Sequence, residues 1–433
     1  MPPNTFDFPI APRANSTGHT PPGEAFKDQW THPTDVFSVL LLLGGDVVNK
    51  ALGQLSGGRL TPVTFSFGWV SYAITTLLAS VGDTKLMPRD SEGSCLVITA
   101  KNGYTRTNSS WVIARMLRDH DSWMHPRVKS RLEWMIDERH HYLQRKAKPG
   151  TKIPRPGQTG LCISIYEPSK TVPAGKPRHD VTYWSGVFVA ACQLLLATAP
   201  LIREHDWSIL VITVCGTVLA LGTGSLPEWA IEKWACRRGS HNSYILTSGN
   251  GAQHAILILG NGKGLNLEDL AVGSQMQPRP SSTHTRFILA VISIMWIGLL
   301  VSAAGMTENT SYLLAIGGIG MIHNVVVVGL RRDPSTLGIH LEYRDVVGEM
   351  TVMDALLDLE AKYPQVGASL LPIFFPGQLR LDETSKWEAL RQRGEQQAEQ
   401  ATSSEGQQEP AQEPAQDPAP ESWEAHAKTF ETG

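Results

Sequence analysis

Asp46, Asn49, Lys50, Gln193, His323 and Asn324 stand inside stretches of sequence that are otherwise apolar, and they are the residues through which this chain could do chemistry. Asp46 and Lys50 are four apart, so a helix places carboxylate and amine on one face, where they can pair. An Asp at the centre of a bilayer costs roughly 2.5–3.5 kcal/mol on insertion scales, so it must face protein, water or a partner charge. His323 is about 13 residues into its stretch, and an imidazole there can carry protons near neutral pH. The chemistry on offer is interhelical hydrogen bonding or the relay of a proton or ion.

Other chemistries fail on spacing. Gly260-Asn261-Gly262-Lys263-Gly264 evokes a phosphate loop, but a Walker A motif needs Gly where Leu257 stands and Ser or Thr where Gly264 stands. Gly249-x-Gly251 runs on to His254 where a dinucleotide fingerprint needs a third Gly. His120, His125, His140 and His141 crowd one loop without an HExxH spacing, and no GxSxG elbow occurs. The cysteines at 95, 162, 192, 215 and 236 form no CxxC pair, which argues against a disulfide framework or structural zinc. No catalytic, cofactor-binding or metal-ligating residue is therefore assigned, and no cofactor or nucleic-acid partner is expected.

The elements that must position the polar residues are six apolar stretches in three pairs: 36–57 with 62–81, 184–202 with 207–226, and 287–306 with 310–330. About twenty apolar residues cross ~30 Å of hydrocarbon at 1.5 Å per residue. The expected fold is thus an α-helical multi-pass membrane protein of about six transmembrane helices in three hairpins, embedded in a lipid bilayer. The mean hydropathy of -0.14 hides this, because it averages apolar spans with strongly polar loops. Small residues at Gly45 and Gly53, at Gly216-Ala220-Gly224 and at Gly317-Gly318-Ile319-Gly320 predict close helix packing. Tyr183, Trp184, Trp207, Trp229 and Trp234 sit at stretch ends, where amphipathic rings favour the headgroup region. The first stretch is the weakest; were 36–57 interfacial, five spans would remain and the termini would lie on opposite sides.

Orientation follows from basic residues. The 83–183 loop holds 18 Lys and Arg against 10 Asp and Glu, and Arg331-Arg332 follows the last stretch directly. Long segments and both termini are expected in the cytosol; no cleaved signal peptide is expected, and which membrane is involved is not encoded. The sequons at Asn15, Asn108 and Asn309 are expected to stay unglycosylated, the first two as cytosolic and the third as too close to the bilayer.

The resulting organisation is a disordered tail over 1–33, a membrane hairpin over 34–82, a cytosolic loop of mixed structure over 83–183, hairpins over 184–226 and 287–330 flanking a loop over 227–286, a cytosolic segment over 331–393 and a disordered tail over 394–433. Local signals predict strands at Cys95 to Thr99, Leu161 to Tyr166 and Ile339 to Tyr343, and a hairpin of Ser243 to Leu246 with His254 to Leu259. Helices are predicted from Trp111, from Pro126 to about Lys148, at Leu267 to Val272 and at Thr351 to Tyr363. Together they make a small α/β cap drawn from separate loops. The last segment, with Glu-Pro-Ala-Gln twice in succession, has too few apolar groups to bury a core.

The runs "HPTDVFSVLLLLGGDVVNKALGQL", "PVTFSFGWVSYAITTLLASVGD", "NSSWVIARMLRD", "GNGAQHAILILGNGKGLNLEDLA" and "VMDALLDLE" resemble a group of uncharacterised polytopic membrane proteins of filamentous fungi, over roughly 30–380. The resemblance implies a membrane protein of fungal origin and transfers no site. Three functions stay open: a membrane-anchored scaffold or interaction protein engaging cytosolic proteins through loops and tail, which the sequence favours; a small transporter or proton-coupled carrier using Asp46, Lys50 and His323; and a membrane-embedded enzyme. Convergence of Asp46, Lys50, Gln193 and His323 on one place would favour the carrier.

Overall fold

The structure, a computed structural model, describes residues 34–81, 86–88, 95–148, 152–273, 283–306 and 308–392. Asn15 and the two expected tails, 1–33 and 394–433, fall outside them. The chain divides into two units, 1–378 and 379–433, and in the second the described residues form a helix over 381–392.

Six helices build a bundle: α1 (Thr34–Leu55), α2 (Gly68–Val81), α6 (Val181–Glu204), α7 (Ser208–Gly224), α10 (Thr283–Ala304) and α11 (Thr310–Gly329). Among the described residues four segments, not the expected six, are long and apolar enough to cross a membrane: Val181–Glu204, Ser208–Lys233, Thr285–Ala304 and Thr310–Gly329. The second takes in α7 and the short α8 (Pro227–Lys233). The six helices close a ring in which α1 packs on α2, α2 on α10, α10 on α7, α7 on α6, α6 on α11, and α11 back on α1.

The first pair differs from a helical hairpin. Residues 61–67 are neither helix nor strand but an extended strap, buried throughout, and α2 begins only at Gly68. Pro62 removes a backbone donor and pushes Thr61 out of the helical region, and the run Val63-Thr64-Phe65-Ser66-Phe67 consists mainly of β-branched and aromatic residues that favour extended backbone. Neighbours of the strap fix its course. Thr61 abuts Gly224 at the end of α7, Phe65 abuts Gly216 a helical half-length away, and Gly68 meets Gly44 halfway along α1. From there α2 descends beside α1 in the same direction, Gly45 lying against Tyr72 and Gly53 against Pro88. The segment thus enters the ring from the cap end, turns at its middle and leaves by the same end. With 14 residues α2 is about 21 Å long, short of the ~30 Å that a crossing requires.

The cap sits at that same end. Its six-stranded sheet has the order β2-β1-β5-β6-β3-β8, with β1 at Leu96–Thr99, β2 at Tyr104–Thr107, β3 at Leu161–Pro168, β5 at Tyr244–Thr247, β6 at His254–Ile258 and β8 at Leu341–Glu349. Among the described residues only β3 and β6 pair in parallel. Three separate loops therefore supply one sheet, as the local signals indicate, and β4 (Arg238–Ser240) and β7 (Gly264–Leu265) add a two-stranded ribbon. Helices α3 (Trp111–Arg118), α4 (His120–Trp123), α5 (Pro126–Lys146), α9 (Leu267–Val272), α12 (Val352–Lys362) and α13 (Val366–Phe374) complete it. Asn266 caps α9 by accepting from Asp269 N at 3.0 Å, and Thr351 caps α12 by accepting from Asp354 N at 3.2 Å.

Candidate functional site

An extended strap inside an apolar ring has backbone groups that no helix satisfies, and burying them unpaired costs of the order of 1–3 kcal/mol each. The polar residues of the bundle meet that need. Gln193 on α6 donates Nε2 to Phe65 O at 2.8 Å and to Ile316 O at 2.7 Å, tying the strap to α11. Asn324 on α11 donates Nδ2 to Thr64 O at 3.1 Å, and its Oδ1 accepts from Thr64 Oγ1 at 2.9 Å. Thr64 Oγ1 also lies 3.0 Å from Gly320 O, and Trp69 Nε1 donates to Thr64 O at 2.9 Å.

Glycines allow the approach. A Cβ at Gly320 would overlap the Phe65 carbonyl, one at Gly186 the Pro62 carbonyl, and one at Gly317 the Phe67 ring. The small-residue runs of α7 and α11 thus serve a strap as well as helix-on-helix packing. On the α10 side, Trp296 stacks on both Phe65 and Trp69, with centroids 6.3 and 5.4 Å away.

His323 closes the network toward the cap. Its Nδ1 is 3.4 Å from Thr64 Oγ1 and its Nε2 is 3.0 Å from Ser185 Oγ. Although 13 residues into its stretch, it is only six from Gly329, and it faces Ser185 in the first turns of α6, so it lies about 9 Å from the cap end of α11. Ser185 Oγ is also 2.9 Å from Thr182 O. This geometry accepts the imidazole in either charge state. When it is protonated, both ring nitrogens donate, to Ser185 and to Thr64, and Ser185 turns its proton to Thr182. Thr64, with its lone pair taken, then gives its own proton to Asn324 or Gly320. When only Nε2 carries a proton, Thr64 is free to donate to Nδ1 in place of Asn324 or Gly320, so its bond moves from one residue of α11 to another.

Asp46 and Lys50 do not join this group. They pair with each other at 2.9 Å on the outward face of α1, as their four-residue spacing allows, with the Asp46 side chain 71% exposed and neither residue in contact with His323. Asn49 also stands apart, its Oδ1 without a partner.

A second cluster, of charges scattered through the sequence from 115 to 332, joins ring to cap. Arg332 holds Asp180 through two hydrogen bonds, Nη2 at 2.7 Å and Nε at 3.0 Å, and donates Nη1 to Gln54 O at 2.6 Å; its backbone N donates to Asp119 at 3.1 Å. Arg115 donates to Val328 O and Leu330 O at 2.8 and 3.2 Å, and Lys233 to Gly53 O and Ser56 O at 3.0 and 2.7 Å. These basic side chains sit on the last carbonyls of α1 and α11, the negative ends of both helices. Burial pushes the Asp180 carboxyl up, but the hydrogen bonds and charge of Arg332 outweigh it and hold the group below its ordinary range.

Three histidines of the cap have defined hydrogen-bonding partners. His120 is buried under the sheet, its Nε2 3.1 Å from Ser164 Oγ and its ring against Trp123 and His254, and burial drops its pKa to about 3, with His254 adding to the effect. His125 accepts from Arg127 N at the start of α5 and stacks on Tyr343, and His140 meets Ile153 O at 3.0 Å. Among the described residues no three His, Cys, Asp or Glu side chains are grouped to hold a metal. The glycine-rich run at 260–264 is a turn in which Asn261 Nδ2 clasps Pro168 O at 2.6 Å. Asn108 is folded onto Ser110 by two hydrogen bonds, and Asn309 reaches Asp206 at 3.3 Å.

Comparison with family models, with curated proteins and with solved structures finds no match.

Proposed function

We propose that this chain is a small membrane carrier for a polar solute, coupled to protons through His323, with the strap as its working backbone. The observation that carries the reading is the strap itself. Irregular backbone at membrane depth is tolerated only inside protein or beside a water-filled path, and unwound segments near the midplane are where transporters bind their cargo. In this topology α1, α6, α7, α10 and α11 cross the bilayer, and the strap with α2 re-enters. The cap faces the cytosol beside the basic residues, and the Thr34 end of α1 faces the other side. Among the described residues the strap's hydrogen-bonding partners include no carboxylate, amine or guanidinium, which suits an uncharged polar solute.

The test uses purified protein in liposomes with an entrapped pH dye. An acid jump outside should acidify the lumen faster than in empty vesicles, and His323→Gln should abolish the difference while keeping its elution profile in detergent. A wild-type rate equal to that of empty vesicles would sink the reading.

A membrane-anchored scaffold is the second reading. It is favoured by the Arg332–Asp180 and Lys233 contacts, which would hold the cap on the ring as a rigid platform for cytosolic partners.

A further inference from the structure

We infer that the outward face of α1 is the interface of a homodimer, in which Asp46 of one copy meets Lys50 of the other. Asp46 lies two residues beyond Gly44, the point where α1 touches the turn between strap and α2, and nine residues from Leu55. At 1.5 Å per residue it is about 13 Å above the cap end, near the middle of a ~30 Å hydrocarbon layer. Gly44, Gly45, Val48, Ala51 and Leu52 fill the inward side of the helix against α2 and α11. Asp46 is turned the opposite way and its carboxylate is 71% exposed, with Lys50 as its one ionic partner at 2.9 Å. A half-bare ion pair at that depth is among the most unfavourable things a lipid-facing helix can carry, and snorkelling relieves it little at the midplane.

A second copy resolves the problem by symmetry. Across a two-fold axis, residue i of one subunit meets residue j of the other and the reverse, so a surface bearing one acid and one base four residues apart is complementary to itself. Each Asp46 would then be flanked by two ammonium groups and each Lys50 by two carboxylates, a closed four-charge ring away from lipid. The inference rests on α1 crossing the bilayer, as proposed above, and is independent of transport.

Two differently tagged copies, co-expressed, test it. Wild-type copies should co-purify. Asp46→Asn with Asp46→Asn should lose most of that yield, whereas Asp46→Asn with Lys50→Gln should regain it, because one cross-subunit pair survives only in the mixed dimer. The double variant Asp46→Asn/Lys50→Gln, which strands no charge and guards against misfolding, should run as a monomer in detergent. Equal co-purification in all combinations, or a monomeric wild type, would overturn the proposal. In a chain freed of its native thiols, Lys50→Cys should resist a membrane-impermeant maleimide. Reaction there would remove the premise that α1 spans, whereas protection in a monomer would sink the dimer and leave the topology standing.

Discussion

The strap in the ring and the sheet in the cap satisfy their backbone groups in different ways. In the cap, strand backbones pair with one another, and residues such as His120 and Ser164 bond side chain to side chain beneath a finished sheet. In the ring, Gln193 and Asn324 bond to backbone, because the strap carbonyls at Thr64 and Phe65 have no strand beside them. The lesson is that a Gln or Asn within an apolar span need not point to another side chain. It can mark the place where a neighbouring segment is unwound.

The sharpest way to break that comparison is to fill a notch. Gly320→Val places a branched side chain where the Phe65 carbonyl already lies, while Gly318, two residues away on the same helix, has nothing within 4 Å of its Cβ position. Gly320→Val should abolish the monodisperse peak in detergent chromatography, and Gly318→Val should leave it intact. Matching behaviour would mean that α11 does not grip the strap.

Next in size is the joint between the two regions. Arg332 is 4% exposed and its side chain serves Asp180 and Gln54 O together, so Arg332→Met strands the Asp180 carboxylate, while Asp119 keeps the backbone N–H of residue 332 and its pairing with Arg118. Removing one partner from a buried ionic cluster costs about 3–5 kcal/mol, and we expect a large fall in thermal stability with the cap becoming sensitive to protease before the ring does. Simultaneous loss of both regions would instead show that they fold as one cooperative block.

Gln193→Leu should cost less, about 1–3 kcal/mol for the orphaned carbonyl of Phe65, because Ile316 O keeps its bond within α11. Exposed polar pairs between membrane helices are worth nearer 0.6 kcal/mol, because the loosened state finds other partners. The larger value is expected here since the strap has few alternatives. A change in melting temperature no greater than that of Thr198→Ala, whose hydroxyl merely bonds Leu195 O on an exposed face, would place Gln193 among ordinary interhelical contacts.

How far the two regions could be read beforehand also differs, and for a physical reason. The hairpin Tyr244–Thr247 with His254–Ile258 announces itself through Ser248-Gly249-Asn250-Gly251, where Gly249 and Gly251 adopt positive φ. Asn266 and Thr351 mark helix starts in the same local way. Hydropathy, however, cannot distinguish twenty apolar residues in a helix from seven extended ones followed by fourteen helical ones. Pro62 and the β-forming run behind it held the signal, and the pattern of small residues on α6, α7 and α11 held the other half. β2, α13 and the Arg332 cluster were not legible at all, since a four-residue edge strand has little periodicity and Arg115, Asp180, Lys233 and Arg332 meet only after the chain has crossed the ring several times.

The smallest expected effect belongs to the cap and concerns pH. His120 is 2% exposed and neutral, with its pKa held near 3 by burial and by His254, whereas in an unfolded chain it would titrate near the ordinary 6.5. Below about pH 6.5 the unfolded cap therefore takes up a proton that the folded cap refuses, and stability present at pH 8 drains away as the pH falls toward 3. His254, lowered by burial against the opposing pull of Asp121, adds a slope of the same sign. The Asp180 carboxyl works only lower, since its stabilising charge is lost as the pH falls through its own depressed value, so a scan from pH 8 to pH 5 isolates the histidines. Over that window the wild-type melting temperature should decline, and His120→Gln should flatten the decline without removing it, His254 supplying the remainder. An unchanged slope would mean that the His120 ring is hydrated and titrates normally, and that the floor of the sheet is wetter than its packing against Ser164 and Trp123 implies.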